Sequence, residues 1–92
     1  MNGNRTVRRP IIVAPEDWGQ EPVRLMHWLV DLGESVDVGD VLAEIGRPGI
    51  IGDVRATEAG HIAELSQAEG ASILPGMVLG WIEPQSPSED VP

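Results

Sequence analysis

Residues 33–45 recur as residues 70–82, and this repeat constrains the fold more than any other feature of the chain. Gly33, Ser35, Gly39, Val41, Leu42 and Ile45 return as Gly70, Ser72, Gly76, Val78, Leu79 and Ile82, while Val36 returns as Ile73. Upstream, Leu25 and Trp28 correspond to Ile62 and Leu65. Two copies are too few for a solenoid, in which each unit buries its apolar face only by stacking on several neighbours. One core shared by two related halves, a quasi-two-fold fold, is the better inference.

Each copy reads as short strands separated by glycine turns. Strands are expected over 24–31, 35–37 and 41–45 in the first half, and over 61–67, 71–74 and 78–82 in the second. Ile11–Ala14 and Ile50–Arg55 supply one more each. Glycines at the turns provide the positive φ that other residues resist. Val41, Ala43 and Ile45 alternate with Leu42 and Glu44, the period of a half-buried strand, which points the first three inward. The expected core is Val36, Val41, Ala43, Ile45, Ile62, Leu65, Ile73, Val78 and Ile82. A helix over Val23–Leu32 is opposed by its β-branched residues and by the flanking Pro22 and Gly33. With eleven Gly and eight Pro spread along 92 residues, an all-β domain with almost no helix follows.

Charge and composition narrow the partners. Fifteen acidic residues against six arginines give a net charge of −9, and three of those arginines fall in the first ten residues. Such an acidic body repels nucleic-acid phosphates and anionic bilayers, so neither nucleic acid nor membrane is expected as a partner. No apolar run approaches the roughly 20 residues of a membrane span, and the cytoplasm is the default location. The absence of cysteine excludes disulfides and thiolate metal sites. Residues 1–9 read as a disordered basic arm and 84–92 as a disordered acidic Pro/Ser-rich tail, leaving a domain over 10–83.

The stretch Trp28-Leu29-Val30, Gly33-Glu34, Val36, Gly39-Asp40-Val41-Leu42-Ala43-Glu44-Ile45, followed by a tip and then Ala56-Thr57-Glu58-Ala59-Gly60-His61-Ile62, resembles the biotinyl/lipoyl-attachment family. Within that family the pattern is similar to the lipoyl domains of 2-oxo acid dehydrogenase acyltransferases, and it covers roughly residues 10–83. It implies a flattened barrel of two four-stranded sheets with quasi-two-fold symmetry, a barrel-sandwich hybrid. In that family the strand after Ala-Glu-Ile runs into Glu-Thr-Asp-Lys-Ala, whose lysine receives lipoate at a hairpin tip. The corresponding residues here are Gly46-Arg47-Pro48-Gly49-Ile50, so Gly49 occupies the acceptor position. All six basic residues are arginine, no lysine occurs at any position, and the Met-Lys-Met of biotin carriers is equally missing. No covalent lipoate or biotin on a lysine side chain, and no other cofactor, is therefore expected.

Pro48-Gly49 is itself a strong turn dipeptide, with Pro presetting φ at the first central position and Gly suiting the second. The tip is thus expected to remain a hairpin. It either closes a turn and nothing more, or presents Arg47, Ile50 and Ile51 to a partner; Ile51 fits the core equally well. Trp81 aligns with Glu44 of the other half and either covers the seam between first and last strands or binds a partner. Trp18, in the loop between Pro15 and Pro22, suits a position over a sheet edge, and Trp28 suits the core. The candidate partner-binding residues are therefore Arg47, Pro48, Gly49, Ile50, Ile51 and Trp81.

Other chemistry finds little support. Gly46, Gly49 and Gly52 lack the spacing of a dinucleotide fingerprint, and a Walker loop needs a lysine. His27 and His61 are the only histidines, and solvated surface positions suit them better than metal ligation. No nucleophile elbow is present. No catalytic or metal-binding residue is assigned, and the chain is not expected to be an enzyme by itself. Three functions compete: a lysine-less, non-covalent binding or structural module with a protein partner; an accessory subunit of a 2-oxo acid dehydrogenase, acyltransferase or carboxylase complex; and an adaptor-type domain of an export system.

Overall fold

The computed structural model describes residues 7–85 and contains eight strands and one helical turn. In chain order these are β1 (Arg9–Ile12), α1 (Pro15–Trp18), β2 (Val23–Trp28), β3 (Ser35–Val36), β4 (Val41–Arg47), β5 (Ile50–Arg55), β6 (Gly60–Leu65), β7 (Ser72–Ile73) and β8 (Val78–Pro84). One four-stranded sheet has the order β1-β8-β6-β3 and the other β5-β4-β2-β7, with every pairing antiparallel. The second order is the first with each strand replaced by its repeat partner, β5 standing where β1 stands. The expected quasi-two-fold, two-sheet barrel is the fold.

The symmetry reaches individual bonds. Gly33 donates its N–H to Ile62 O at 2.8 Å, and Gly70 donates to Leu25 O at 2.7 Å. Gly39 and Gly76 donate to Ala56 O and Val13 O, both at 2.8 Å. These four glycines hold φ between 84° and 92°, the left-handed region that the repeat reserves for them. Even the irregularities match. Register slips by one residue at Met26 in β2 and at Ala63 in β6, and again at Leu42 in β4 and Leu79 in β8.

Those slips correct the expected core. A bulge sets two successive residues toward one face, so Leu42 and Ala43 are both fully buried, as is Leu79. Val41 and Val78, expected inside by strict alternation, are only half-buried, and so is Leu65 at the outer end of β6. Val36, Ala43, Ile45, Ile62, Ile73 and Ile82 are buried as expected, joined by Ile11, Val13, Val23, Leu25, Val30, Val54 and Ala56. Burying a side chain of this size is worth about 1.5–3 kcal/mol. Trp28 is half-buried against this core, its indole N–H donating to Gln67 O at 2.8 Å.

Ile50–Arg55 forms the expected strand over the same bounds. β1 begins earlier than expected, at Arg9, which pairs with Ile82, and β8 runs on to Pro84, which pairs with Gly60. Arg9 and Pro84, expected in the disordered ends, are held by the ladder instead. Residues 1–6 and 86–92 lie outside the described residues. No helix among the described residues is long and apolar enough to cross a membrane.

Candidate functional site: the β4–β5 hairpin and its groove

Arg47 and Ile50 face each other across a two-residue loop, Pro48-Gly49, that closes the β4–β5 hairpin. Proline fixes φ near −65° at the first loop position, and Gly49 takes φ 87° at the second, the combination of a type II turn. A side chain at Gly49 would meet nothing within 4 Å, so position 49 projects into open space. The hairpin is retained with glycine at its apex.

Arg47 does not stand out from the tip as a free charge. Its Nη2 donates to Trp18 O at 2.8 Å and Glu21 O at 2.7 Å, and its Nε donates to Pro22 O at 3.4 Å. The guanidinium also lies over the Trp18 ring. These contacts clamp the α1–β2 loop to the tip end of the hairpin. Trp18 itself packs where Gly52 leaves room: a Cβ at Gly52 would approach its Cζ2 to 2.6 Å. The expected position of Trp18 over a sheet edge is correct, since β5 is an edge strand.

Ile50 and Ile51 are exposed by 51% and 65%, so Ile51 is not core. With Met26, Gly46, Pro48 and Pro22 they border an open groove of about 680 Å³ on the outer face of β4 and β2. Gly46 is the floor. A Cβ there would fall 2.8 Å from Ile50 O and 3.0 Å from Met26 Sδ, so glycine lets the strand and the methionine approach. Arg24 and Ser72 supply the polar side, and Arg24 Nη1 donates to Gly70 O at 2.8 Å. Arg24, Met26 and the Gly46 floor escaped the sequence reading, because only strand register reveals which residues adjoin the tip.

Trp81 is remote from this hairpin. It lies on β8 in the opposite sheet, half-buried, opposite Pro10 of β1 and Glu64 of β6, which is the seam position. The structure therefore brings together Arg47, Pro48, Gly49, Ile50 and Ile51, but not Trp81. His27 and His61 also lie on separate sheets, beside Glu69 at 4.0 Å and Glu83 at 3.5 Å. Among the described residues no three metal-ligating side chains converge.

Comparison with known proteins agrees with this architecture. No curated protein matches the sequence. Among solved structures, the lipoyl domain of the 2-oxoglutarate dehydrogenase complex from Azotobacter vinelandii superposes with a TM-score of 0.59 at 26% identity. That match covers 87% of this chain and 98% of the other. The family model described as "Biotin-requiring enzyme" matches residues 17–82, which span β2 through most of β8 as well as the hairpin. With that match over most of its length, the chain belongs to the biotinyl/lipoyl-attachment family.

Proposed function

We propose that this domain is a non-covalent binding module, a lipoyl-type fold that works through its hairpin surface without carrying lipoate or biotin. The observation behind this reading is position 49. The family presents its acceptor amine at this apex, and here the apex is a glycine at positive φ in a chain without lysine. Family members are carriers rather than catalysts and sit within multienzyme complexes, so a protein partner and no chemistry of its own are the corresponding expectations. The exposed pair Ile50 and Ile51 beside the tip supports a contact role, because neighbouring apolar side chains on a surface favour association.

A second reading, an accessory subunit of a 2-oxo acid dehydrogenase complex, is favoured by the likeness to a 2-oxoglutarate dehydrogenase lipoyl domain. In that case another chain supplies the modified lysine.

Intact-mass spectrometry tests the first reading. The full chain, incubated with ATP and lipoate or biotin and the matching ligase, gains no mass. A stable adduct overturns the reading. Adding the chain to a purified 2-oxo acid dehydrogenase complex separates the two: co-sedimentation with the complex favours the accessory subunit.

A further inference from the structure

The internal two-fold permits a comparison of two equivalent surface rows within one molecule. In one sheet the row across β3, β6 and β8 reads Ser35, His61, Glu83. Its counterpart across β7, β2 and β4 reads Ser72, Arg24, Gly46, continuing to Ile51 on β5. Basic residue matches basic residue, but the carboxylate does not recur. Glu83 lies 3.5 Å from His61, whereas the place of Glu83 is taken by Gly46, and Arg24 has no carboxylate partner among the described residues.

The surroundings reinforce the difference. Fifteen acids crowd a chain with six arginines, yet the groove is lined by two arginines, Arg24 and Arg47, and by no acid. Met26 and Ile51 supply apolar surface beside Arg24. The distance from Arg24 to Ile51 spans two inter-strand gaps, roughly 10 Å at the usual strand spacing. The groove is lined in part by β5, an edge strand with no strand on its outer side. An extended chain can enter there, and an open trough of this kind suits a segment of polypeptide better than an enclosed small molecule.

We infer that the groove binds an extended segment of a protein partner carrying a carboxylate flanked by aliphatic side chains. The partner's Glu or Asp takes the place of the missing counterpart of Glu83 and pairs with Arg24. The aliphatic neighbour packs over Met26 and Ile51. Arginine suits this role because its fork offers further N–H donors after one is committed to Gly70 O. This deepens the non-covalent reading of the hairpin and rests on it.

The test uses the full ¹⁵N-labelled chain and three blocked synthetic peptides, acetyl-Ser-Leu-X-Leu-Ser-amide with X as Glu, Gln or Lys. The Glu peptide shifts the Arg24 Nε–H resonance and the amides of Gly46 and Ile51, and binds about tenfold more tightly than the Gln peptide; the Lys peptide shifts none of them. R24Q removes the preference for Glu over Gln, while I51S weakens both peptides alike. Both substituted residues are exposed, and a dispersed spectrum confirms that each variant is folded. Equal binding of the Glu and Lys peptides, or shifts confined to another face, overturns the inference. So do shifts of the same resonances by octanoate with none by any peptide, which would make the site one for a small acyl carboxylate. Concentration-dependent shifts of these resonances without peptide would assign the groove to a second copy and overturn it as well. Failure here with no ligase adduct leaves the non-covalent reading standing, whereas an adduct removes both.

Discussion

The Arg47 guanidinium lies 5.4 Å from the centre of the Trp18 ring and donates to the carbonyl oxygen of that same tryptophan. One side chain thus ties the α1–β2 loop to the hairpin in two ways. This bond network is one-sided. The two-fold counterpart of Arg47 is Pro84, which has no donor to offer, so the clamp belongs to the hairpin end alone.

Arg47→Ala should therefore destabilise the domain by about 1–2 kcal/mol, from lost charge-assisted hydrogen bonds and stacking. Thermal unfolding followed by circular dichroism should show Tm lower by roughly 4–8 °C per kcal/mol. Arg47→Lys should rescue little, since an ammonium cannot reach three carbonyls in a fork while stacking on an indole. An unchanged Tm for both variants would show that the clamp contributes nothing net.

Gly52 and Trp18 should be coupled. Gly52→Ala forces the indole away and should cost about 1–3 kcal/mol by overpacking. Combined with Trp18→Ala, the same substitution should add almost nothing, because the clash disappears with the ring. Urea unfolding of the two single variants and the double variant closes a cycle, and strict additivity would contradict the packing of Trp18 on Gly52.

Leu42→Ala and Leu79→Ala should be among the most damaging changes, each costing about 2–5 kcal/mol by leaving a cavity. Val41→Ala and Val78→Ala, one residue earlier on the same strands, should cost clearly less. Equal losses at the four positions in denaturant titrations would mean that the bulges do not set the core-facing residues.

Gly60→Ala should be worse than Gly49→Ala. A Cβ on Gly60 runs into the backbone of Glu83 and Pro84, with no flexible group to yield. At Gly49 only the positive φ resists, worth about 1 kcal/mol. Comparing midpoints of urea unfolding for the two variants decides it.

Much of this fold was legible because glycines mark it. Gly33, Gly39, Gly70 and Gly76 sit at matched turns, and the repeat they punctuate is the two-fold seen in the sheets. The inward-facing residues of β4 and β8 were less legible. Alternation assumes an unbroken ladder, and a bulge at Leu42 or Leu79 changes which side faces in without altering composition. The tip was legible as a hairpin from Pro48-Gly49. The engagement of Arg47 was not, since its partners are backbone carbonyls 25 to 29 residues earlier and carbonyls have no residue type to read. Arg24 carries no mark of its role in the sequence; its place beside the tip follows from the register of β2 on β4.

The backbone of the β4–β5 turn also bears on how such a chain can change over time. A lysine appearing at position 49 alone would enter a conformation that side chains disfavour, held there by a hairpin of fixed register. Relaxing that conformation calls for a different residue at position 48 as well. A lysine at the apex therefore takes two substitutions to sit without strain, and the chain with lysine at position 49 alone bears the cost of the left-handed backbone, about 1 kcal/mol.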